Sequence, residues 1–338
     1  MRLFIYEFIT GGGTFSVPSW GVPGGSLLAE GGAMIRALTE DFLRIPEISV
    51  LSMWDARLPM TLSPLVEAVE IHDRLQEENQ FRRLASSCDA TLVIAPEIDD
   101  QLLHRCERVE SVGGILMNSS LEFVKLTSDK QLTIDTLQAA GIRVPRSEIL
   151  NDNAHLRGRK EPVVIKPRFG AGSCDLHFLQ PDDSCSKKFD TDGSLVIQSY
   201  CRGEPASIAF LCSSHQKMPL FPFSQKLGKD FSYGGGTSID APSIRDRICH
   251  LAGKALDALE GARGYVGVDI VIGENPDGSD DAVIEINPRL TTSYIGNRAI
   301  AEQNLADAML RAFRDESIEL KRHSKYVSFT ADGHVTWC

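Results

Sequence analysis

The chain has 338 residues, 42% of them hydrophobic and 24% charged, an ordinary globular composition with enough length for two or three packed units. Its 35 Lys and Arg stand against 46 Asp and Glu, for a formal net charge of −11. That balance argues against a general nucleic-acid binder or a protein held on an anionic membrane, both of which need a basic footprint. No apolar run approaches the ~20 residues of a membrane span. The opening apolar run, Leu3–Tyr6, ends at Glu7 and is too short for a signal peptide. A cytoplasmic chain with neither membrane nor nucleic-acid partner is expected.

Residues 2–6 predict a strand. The loop Thr10-Gly11-Gly12-Gly13 follows, but it lacks G-x-G-x-x-G spacing and no helix opens before Ser26. It reads as a structural turn, or as a loop reaching a neighbouring domain's site, rather than a dinucleotide cradle. Ser26 starts a helix with Leu27, Leu28, Met34, Leu38 and Phe42 near helical spacing. Residues 48–53 and 91–95 predict strands, 65–84 and 99–112 helices, and 115–118 a short fourth strand. Such alternation indicates a small parallel α/β domain.

From about residue 122 the texture changes. Strands at 162–167, 175–180, 194–199, 206–212, 266–272 and 282–287 look antiparallel, and 151–161 and 181–193 read as solvated loops. Residues 326–329 and 334–337 flank Asp332-Gly333 as a terminal hairpin. The eight cysteines (Cys88, Cys106, Cys174, Cys185, Cys201, Cys212, Cys249 and Cys338) contain no C-x-x-C pair. Cys174/His177 and Cys212/His215 are three apart, but a four-ligand zinc site needs paired spacings in a fixed order. Small buried thiols in a reducing compartment account for them better.

The chemistry concentrates in a few segments. Ala282–Asn287 alternates until Pro288 stops it, so period two puts Val283, Glu285 and Asn287 on one face and Ile284 and Ile286 on the other. Upstream, Gly267–Ile272 carries Asp269, and the intervening Asp277-Gly278 is a hairpin turn signal. Asp269 then faces Glu285, and facing like charges need neutralising. A divalent cation on two carboxylates and an amide oxygen would do this; Mg²⁺ takes few protein ligands and completes its shell with substrate phosphates.

A helix over 129–140 starts with the capping box Ser128…Gln131 and stops at Gly141 and Pro145. Lys130 falls on the same face as Ile134 and Leu137, either for a ligand or as a lysine snorkelling to water. A strand ending at Lys166 runs into Arg168-Phe169-Gly170-Ala171-Gly172-Ser173. This loop can offer N–H groups to phosphate oxygens beside two fixed cations, or be a hairpin with a basic rim. The connector after Gln198 can offer backbone donors and acceptors to an adenine edge, with Glu204 placed for ribose hydroxyls, or be only a connector. Arg289 can grip a phosphoryl group or carboxylate in two-pronged fashion. Thr291, Thr292 and Ser293 are expected to cap a helix near Tyr294. Lys226, Lys229 and residues 233–237 read as an acceptor-side segment or a surface loop.

In this order the motifs resemble the ATP-grasp superfamily of carboxylate–amine ligases over residues 122–315, with 1–121 like its preceding α/β domain. Phe8–Gly13, Ala29-Glu30-Gly31 and Asn287–Ser293 are most similar to the tyramine–glutamate ligase group and its relatives, which are associated with methanofuran and tetrahydromethanopterin-type cofactor biosynthesis. The resemblance implies an α/β and α+β architecture: a Rossmann-like pre-ATP-grasp domain (1–121), an ATP-grasp lid lobe (122–198), a catalytic lobe (199–318) with antiparallel sheets, and a hairpin tail (319–338).

It also implies roles. Lys130 and Lys166 would contact the α- and β-phosphates of ATP while the 168–173 loop (Arg168, Gly170, Gly172, Ser173) closes over the triphosphate. Gln198, Tyr200 and Cys201 would line adenine, Glu204 would hold ribose, and Asp269, Glu285 and Asn287 would hold Mg²⁺, with Mn²⁺ able to substitute. Arg289 would steady the transferred group, and Lys166 would share in catalysis. A glutamine at 198 departs from the acid of many relatives. Small-molecule carboxylate and amine substrates are implied, joined through an acyl phosphate, and homodimers are common among such ligases. A kinase on the same scaffold and a nucleotide binder without turnover are the competing readings; a nicotinamide oxidoreductase fits least.

Overall fold

The computed structural model describes residues 1–156, 158–171, 175–181 and 188–337. Its first third alternates strand and helix: β1 (Arg2–Glu7), α1 (Gly25–Leu43), β2 (Ser49–Asp55), β3 (Glu67–Ile71), α2 (Arg74–Ser87), β4 (Ala90–Ile94) and α3 (Gln101–Ser111). The strands form a parallel sheet in the order β3-β2-β1-β4. Every residue of β4, and all but the first of β1, is buried, as a sheet covered on both faces requires. Leu3 and Ile5 pack toward α1, while Phe4 and Tyr6 join Phe81 and Leu102 on the opposite side.

Two expectations fail here. The helix over 65–84 divides into β3, paired with β2, and α2, which Asp73 caps by accepting from the Gln76 amide at 2.8 Å. The segment's apolar residues serve an alternating edge strand first and a helical stripe only afterwards. The strand at 115–118 shrinks to a single bridge between Leu116 and Thr91. Beyond it the Asn118 side chain takes over, accepting from the Val93 amide at 2.9 Å and donating to its carbonyl at 2.8 Å. The glycine loop is a structural turn: Gly12 has φ +90°, and a side chain on Gly13 would strike the Phe8 ring.

α4 (Leu121–Ser128) and α5 (Lys130–Ala139) lead into a four-stranded antiparallel sheet of β5 (Ser147–Ile149), β6 (Val163–Pro167), β7 (His177–Leu179) and β8 (Leu195–Ser199), in the order β5-β8-β6-β7. It closes over Leu150, Val163, Ile165 and Ile197. The cap of α5 is Asp129, not Ser128. The Asp129 carboxylate accepts from the Gln131 and Leu132 amides at 3.1 and 3.2 Å, and Ser128 ends α4.

The remaining elements are β9 (Glu204–Cys212), β10 (Lys217–Pro219), β11 (Phe223–Leu227), β12 (Tyr233–Ser238), α6 (Pro242–Asp257), β13 (Gly264–Ile272), β14 (Ala282–Asn287), α7 (Tyr294–Ile300), α8 (Leu305–Phe313), β15 (Val327–Thr330) and β16 (Val335–Trp337). The strands build an eight-stranded antiparallel sheet in the order β14-β13-β9-β11-β12-β15-β16, with β10 on β9. The terminal hairpin thus joins this sheet through β15 and β12. β11 and β12 escape a periodicity reading because Gly-rich β12 carries little side-chain pattern; at Gly235, φ +113°, an added Cβ would lie 2.0 Å from the Phe329 carbonyl. One face of the large sheet packs on α6, with Phe123 and Leu137 from α4 and α5. The other shares a core with α1, through Leu38, Ala209, Tyr294, Met309 and Phe329. Asp41 of α1 also accepts from the Tyr294 hydroxyl at 2.8 Å and from Arg298 at 2.7 Å. The parallel domain is therefore fastened to the large sheet.

Candidate active site

Between β6 and β8 of the small sheet and β9, β13 and β14 of the large one lies a cavity of about 260 Å³. Its floor is the β13–β14 hairpin, in which Asp269 pairs with Glu285 across the strands as the turn signal predicts. The expected strict alternation does not hold, however. The next pair is Ile270 with Val283, so Ile284 is the extra residue of a bulge. Val283 consequently drops into the core beside Ile286, and Ile284 joins Glu285 and Asn287 on the cavity wall.

Two lysines meet these acids. Lys130 is 7% exposed and does not snorkel; its Nζ lies 3.0 Å from Glu285 Oε1 and donates to the Gly170 carbonyl at 2.6 Å. Lys166, at the end of β6, is equally buried. Burial lowers its ammonium to about 8 against the pull of Glu285. Burial would lift Glu285, but Lys130 and Lys166 hold its carboxyl below the usual value. Among the described residues no cation lies within ion-pair distance of Asp269, and Arg289 lowers its carboxyl only as a lesser influence. Burial, then repulsion from Glu285, raises it to about 6, although Gln225 Nε2 donates to one oxygen at 2.8 Å and Asn287 Nδ2 to the other at 3.0 Å.

This donor set suits a hard cation. A divalent ion would cancel the Asp269–Glu285 repulsion, and a half-turn of the Asn287 amide exchanges its nitrogen for an oxygen. Among the described residues no cluster of three or more His, Cys, Asp or Glu forms a complete cage. Two carboxylates and one amide are the small ligand set that Mg²⁺ takes when substrate oxygens fill its other positions.

Other expected residues divide. Gly170 lines the cavity, while Gly172 and Ser173 lie outside the described residues. Arg168 does not line it. Its guanidinium is held by the α5 cap, Nε to Asp129 Oδ1 at 2.8 Å and Nη2 to Oδ2 at 2.6 Å, so the expected free cation is neutralised. Gln198, Tyr200 and Cys201 line the cavity, and the buried Gln198 Nε2 has no partner among the described residues. Glu204 is exposed at the head of β9 and outside the lining, to which β9 contributes Pro205 and Ser207. Cys212 is a core thiol; Cys174 is not among the described residues. Lys226 and Lys229 stand outside the lining, although Leu227, Phe231 and Tyr233 belong to it.

Arg289 lines the cavity, but it is already gripped. Its Nε and Nη2 donate to the two oxygens of Glu97 at 2.9 and 3.0 Å. Glu97 comes from the segment after β4, in the parallel domain. Thr291–Ser293 do not cap α7, which has no side-chain cap. Thr292 Oγ1 instead donates to Glu30 of α1 at 2.8 Å, and Ser293 Oγ lies 3.0 Å from the Tyr265 hydroxyl. Sequence reasoning missed Glu97 and Gln225 as site residues, and assigned no role to Glu30, because nothing local to those residues announces them.

A model of the ATP-grasp domain matches residues 127–293, and a model of the pre-ATP-grasp domain matches residues 48–124. The chain belongs to the ATP-grasp superfamily. This ATP-grasp protein is 29% identical over 310 residues to the tyramine–L-glutamate ligase of Methanocaldococcus jannaschii, a match covering 91% of this chain and 89% of that one. The tyramine–L-glutamate ligase of Methanocaldococcus fervens is 26% identical over 302 residues, covering 88% and 92%. In fold, the ATP-grasp protein is similar to an L-amino acid ligase from Bacillus licheniformis, with a TM-score of 0.69 at 16% identity over 97% of this chain and 78% of that one. No helix among the described residues is long and apolar enough to cross a membrane.

Proposed function

We propose that this ATP-grasp protein is an ADP-forming ligase that joins a small carboxylate to an amine. The observation that carries the reading is the convergence of Asp269, Glu285 and Asn287 with Lys130 and Lys166 in one cavity. Their formal charges cancel, two acids against two lysines, so the site meets a polyanion without net repulsion and adds cation charge as metal arrives. Bound Mg²⁺ would neutralise and polarise phosphate oxygens.

The chain's own groups do the rest. Lys130 and Lys166 draw phosphate oxygens toward the acid pair, and a phosphate beside Lys166 restores the proton that burial weakens. Gln225 orients Asp269, and Glu97 fixes the plane of Arg289 at the cavity wall. The substrate carboxylate attacks the γ-phosphorus and releases ADP; the amine then attacks the acyl carbon and expels inorganic phosphate. No covalent bond to the protein is needed, so catalysis rests on positioning and fixed charge. Closure over the bound substrates would keep water from the mixed anhydride.

The names of the two relatives support glutamate and tyramine as the first pair to test; a place in methanofuran-type or tetrahydromethanopterin-type cofactor assembly is what the sequence resemblance adds to that proposal. The test is ADP release in the presence of Mg²⁺. A ligase needs both an acid and an amine for full turnover, whereas a kinase needs one acceptor and a binder releases none. Unchanged ADP formation in Glu285→Gln or Lys166→Ala would show that the site is misplaced.

A further inference from the structure

One wall of the cavity is not used by the metal-phosphate chemistry. Glu30 of α1 enters it beside Arg289, Thr292 and Tyr233. Its Oε2 accepts from Thr292 Oγ1 at 2.8 Å, while Oε1 is buried with no hydrogen-bond partner among the described residues. Arg289 does not supply one. Its Nε and Nη2 are taken by Glu97, and Nη1 donates to the Leu290 carbonyl at 3.2 Å. Several carboxylates, among them Glu97, Glu285 and Glu30, face one guanidinium, and Glu97 holds it.

The unpaired oxygen belongs to a residue of the cavity wall, and burial raises the Glu30 carboxyl above its usual value. A buried carboxylate oxygen without a donor is costly, and the cost falls most when the incoming donor carries positive charge. A metal ion does not suit this spot: the neighbouring Glu7 carboxylate is already taken by the Ile9 and Thr10 amides and the Thr10 hydroxyl, and no three-acid cluster exists among the described residues. A neutral donor would leave the charge in place. A primary ammonium answers both demands, with N–H groups for Oε1 and a charge for the carboxylate.

We propose that Glu30 is a specificity-determining residue whose free oxygen receives an ammonium group of the substrate. The inference rests on the ligase reading for the kind of molecule expected, since an amino acid donor and an amine acceptor both carry such a group. It adds a recognition point on the parallel domain, outside the ATP-grasp lobes. The fastening of α1 to α7 through Asp41 keeps that point in register with the cavity.

The test is equilibrium binding by calorimetry to the full chain with Mg²⁺ and a non-hydrolysable ATP analogue. One arm compares L-glutamate and other L-amino acids with their desamino counterparts, such as glutarate. The other compares tyramine and related amines with amine-free counterparts, such as 4-ethylphenol. In one arm the wild type should bind the amine-bearing member about 10- to 100-fold tighter, the span of one buried charge-assisted hydrogen bond. The arm that responds identifies the donor's α-ammonium or the acceptor's amine. Glu30→Gln, which keeps the Thr292 bond, should erase the preference while leaving nucleotide affinity within about twofold; Glu30→Asp should keep part of it. Equal binding within every pair for the wild type, or a preference that survives Glu30→Gln, would overturn the proposal. Binding needs no turnover, so the two readings fail separately. A Glu30-dependent preference without ADP formation would refute only the ligase, and ADP formation without that preference would refute only the role of Glu30.

Discussion

Replacing Asp269 by asparagine should make the unliganded protein more stable and the enzyme inactive. Asp269 is raised from 3.8 to about 6 by burial and by Glu285. A carboxyl raised in this way contributes stability that is fully present below about 3.8 and lost as the pH rises through about 6. At pH 7 the ionised side chain is therefore a net cost. The interval of about 2 pH units, at about 1.4 kcal/mol each, amounts to roughly 3 kcal/mol. Asparagine removes that cost, still accepts one of the bonds from Gln225 and Asn287, and gives up the other. A net gain of about 1–3 kcal/mol at pH 7 follows, or about 2–4 °C in melting temperature for a chain of this length. At pH 5 the wild-type carboxyl is already mostly protonated, so the gain should fall by about half. Melts of wild type and Asp269→Asn at both pH values, with an ADP-release assay alongside, provide the measurement. A neutral or destabilising substitution at pH 7, or a gain independent of pH, would refute the account of facing carboxylates. Retained turnover would refute the metal role.

Other consequences follow from the same geometry. Lys166 is lowered to about 8 in the free protein, so nucleotide binding at pH 8.5 should take up a proton at this site. Calorimetry in buffers of different ionisation enthalpy reads it, and Lys166→Met should abolish the Lys166 share. Between about 8 and the ordinary 10.5 the folded state holds fewer protons than the unfolded chain, so this lysine should make the free protein more stable as pH rises through that window. Glu97→Ala should cost about 3–5 kcal/mol by leaving the Arg289 guanidinium buried and unpaired, and a denaturant-midpoint shift worth under about 1 kcal/mol would show that the clamp carries little. Gly203→Ala should cost about 2–4 kcal/mol, because φ is +140° and the new Cβ would sit 2.1 Å from the Ile272 carbonyl; wild-type stability by thermal melt would contradict this.

Much of the candidate site's wall was legible because its determinants are short-range. Alternation around Asp269, the Asp277-Gly278 turn and the stop at Pro288 are local, and together they suffice to oppose Asp269 and Glu285. Lys130 was legible as far as its helix face, since its spacing to Ile134 and Leu137 is a property of one helix. Its burial was not, because whether a lysine reaches water depends on what covers it, here Glu285 and the Gly170 carbonyl. Arg168 shows the limit from the other side: a basic residue beside a glycine loop looks free until the Asp129 cap, 39 residues earlier, takes its guanidinium.

The sequence by itself therefore determined the order of the motifs and the parallel domain ahead of antiparallel sheets, and it singled out Asp269, Glu285, Asn287 and two lysines, the residues on which the proposed nucleotide-and-metal chemistry is built. Only the tertiary structure decided that Ile284 bulges onto the wall and that Glu97 holds Arg289. It also decided that Gln225 orients Asp269 and that Glu30, at the cavity wall, keeps one buried oxygen without a hydrogen-bond partner among the described residues. The physical reason is range. Periodicity and turn chemistry act over a few residues, whereas Glu30 and Thr292 are 262 residues apart, and Glu97 and Arg289 are 192 apart. Such pairs meet only when α1 docks on α7 and the two domains share one core.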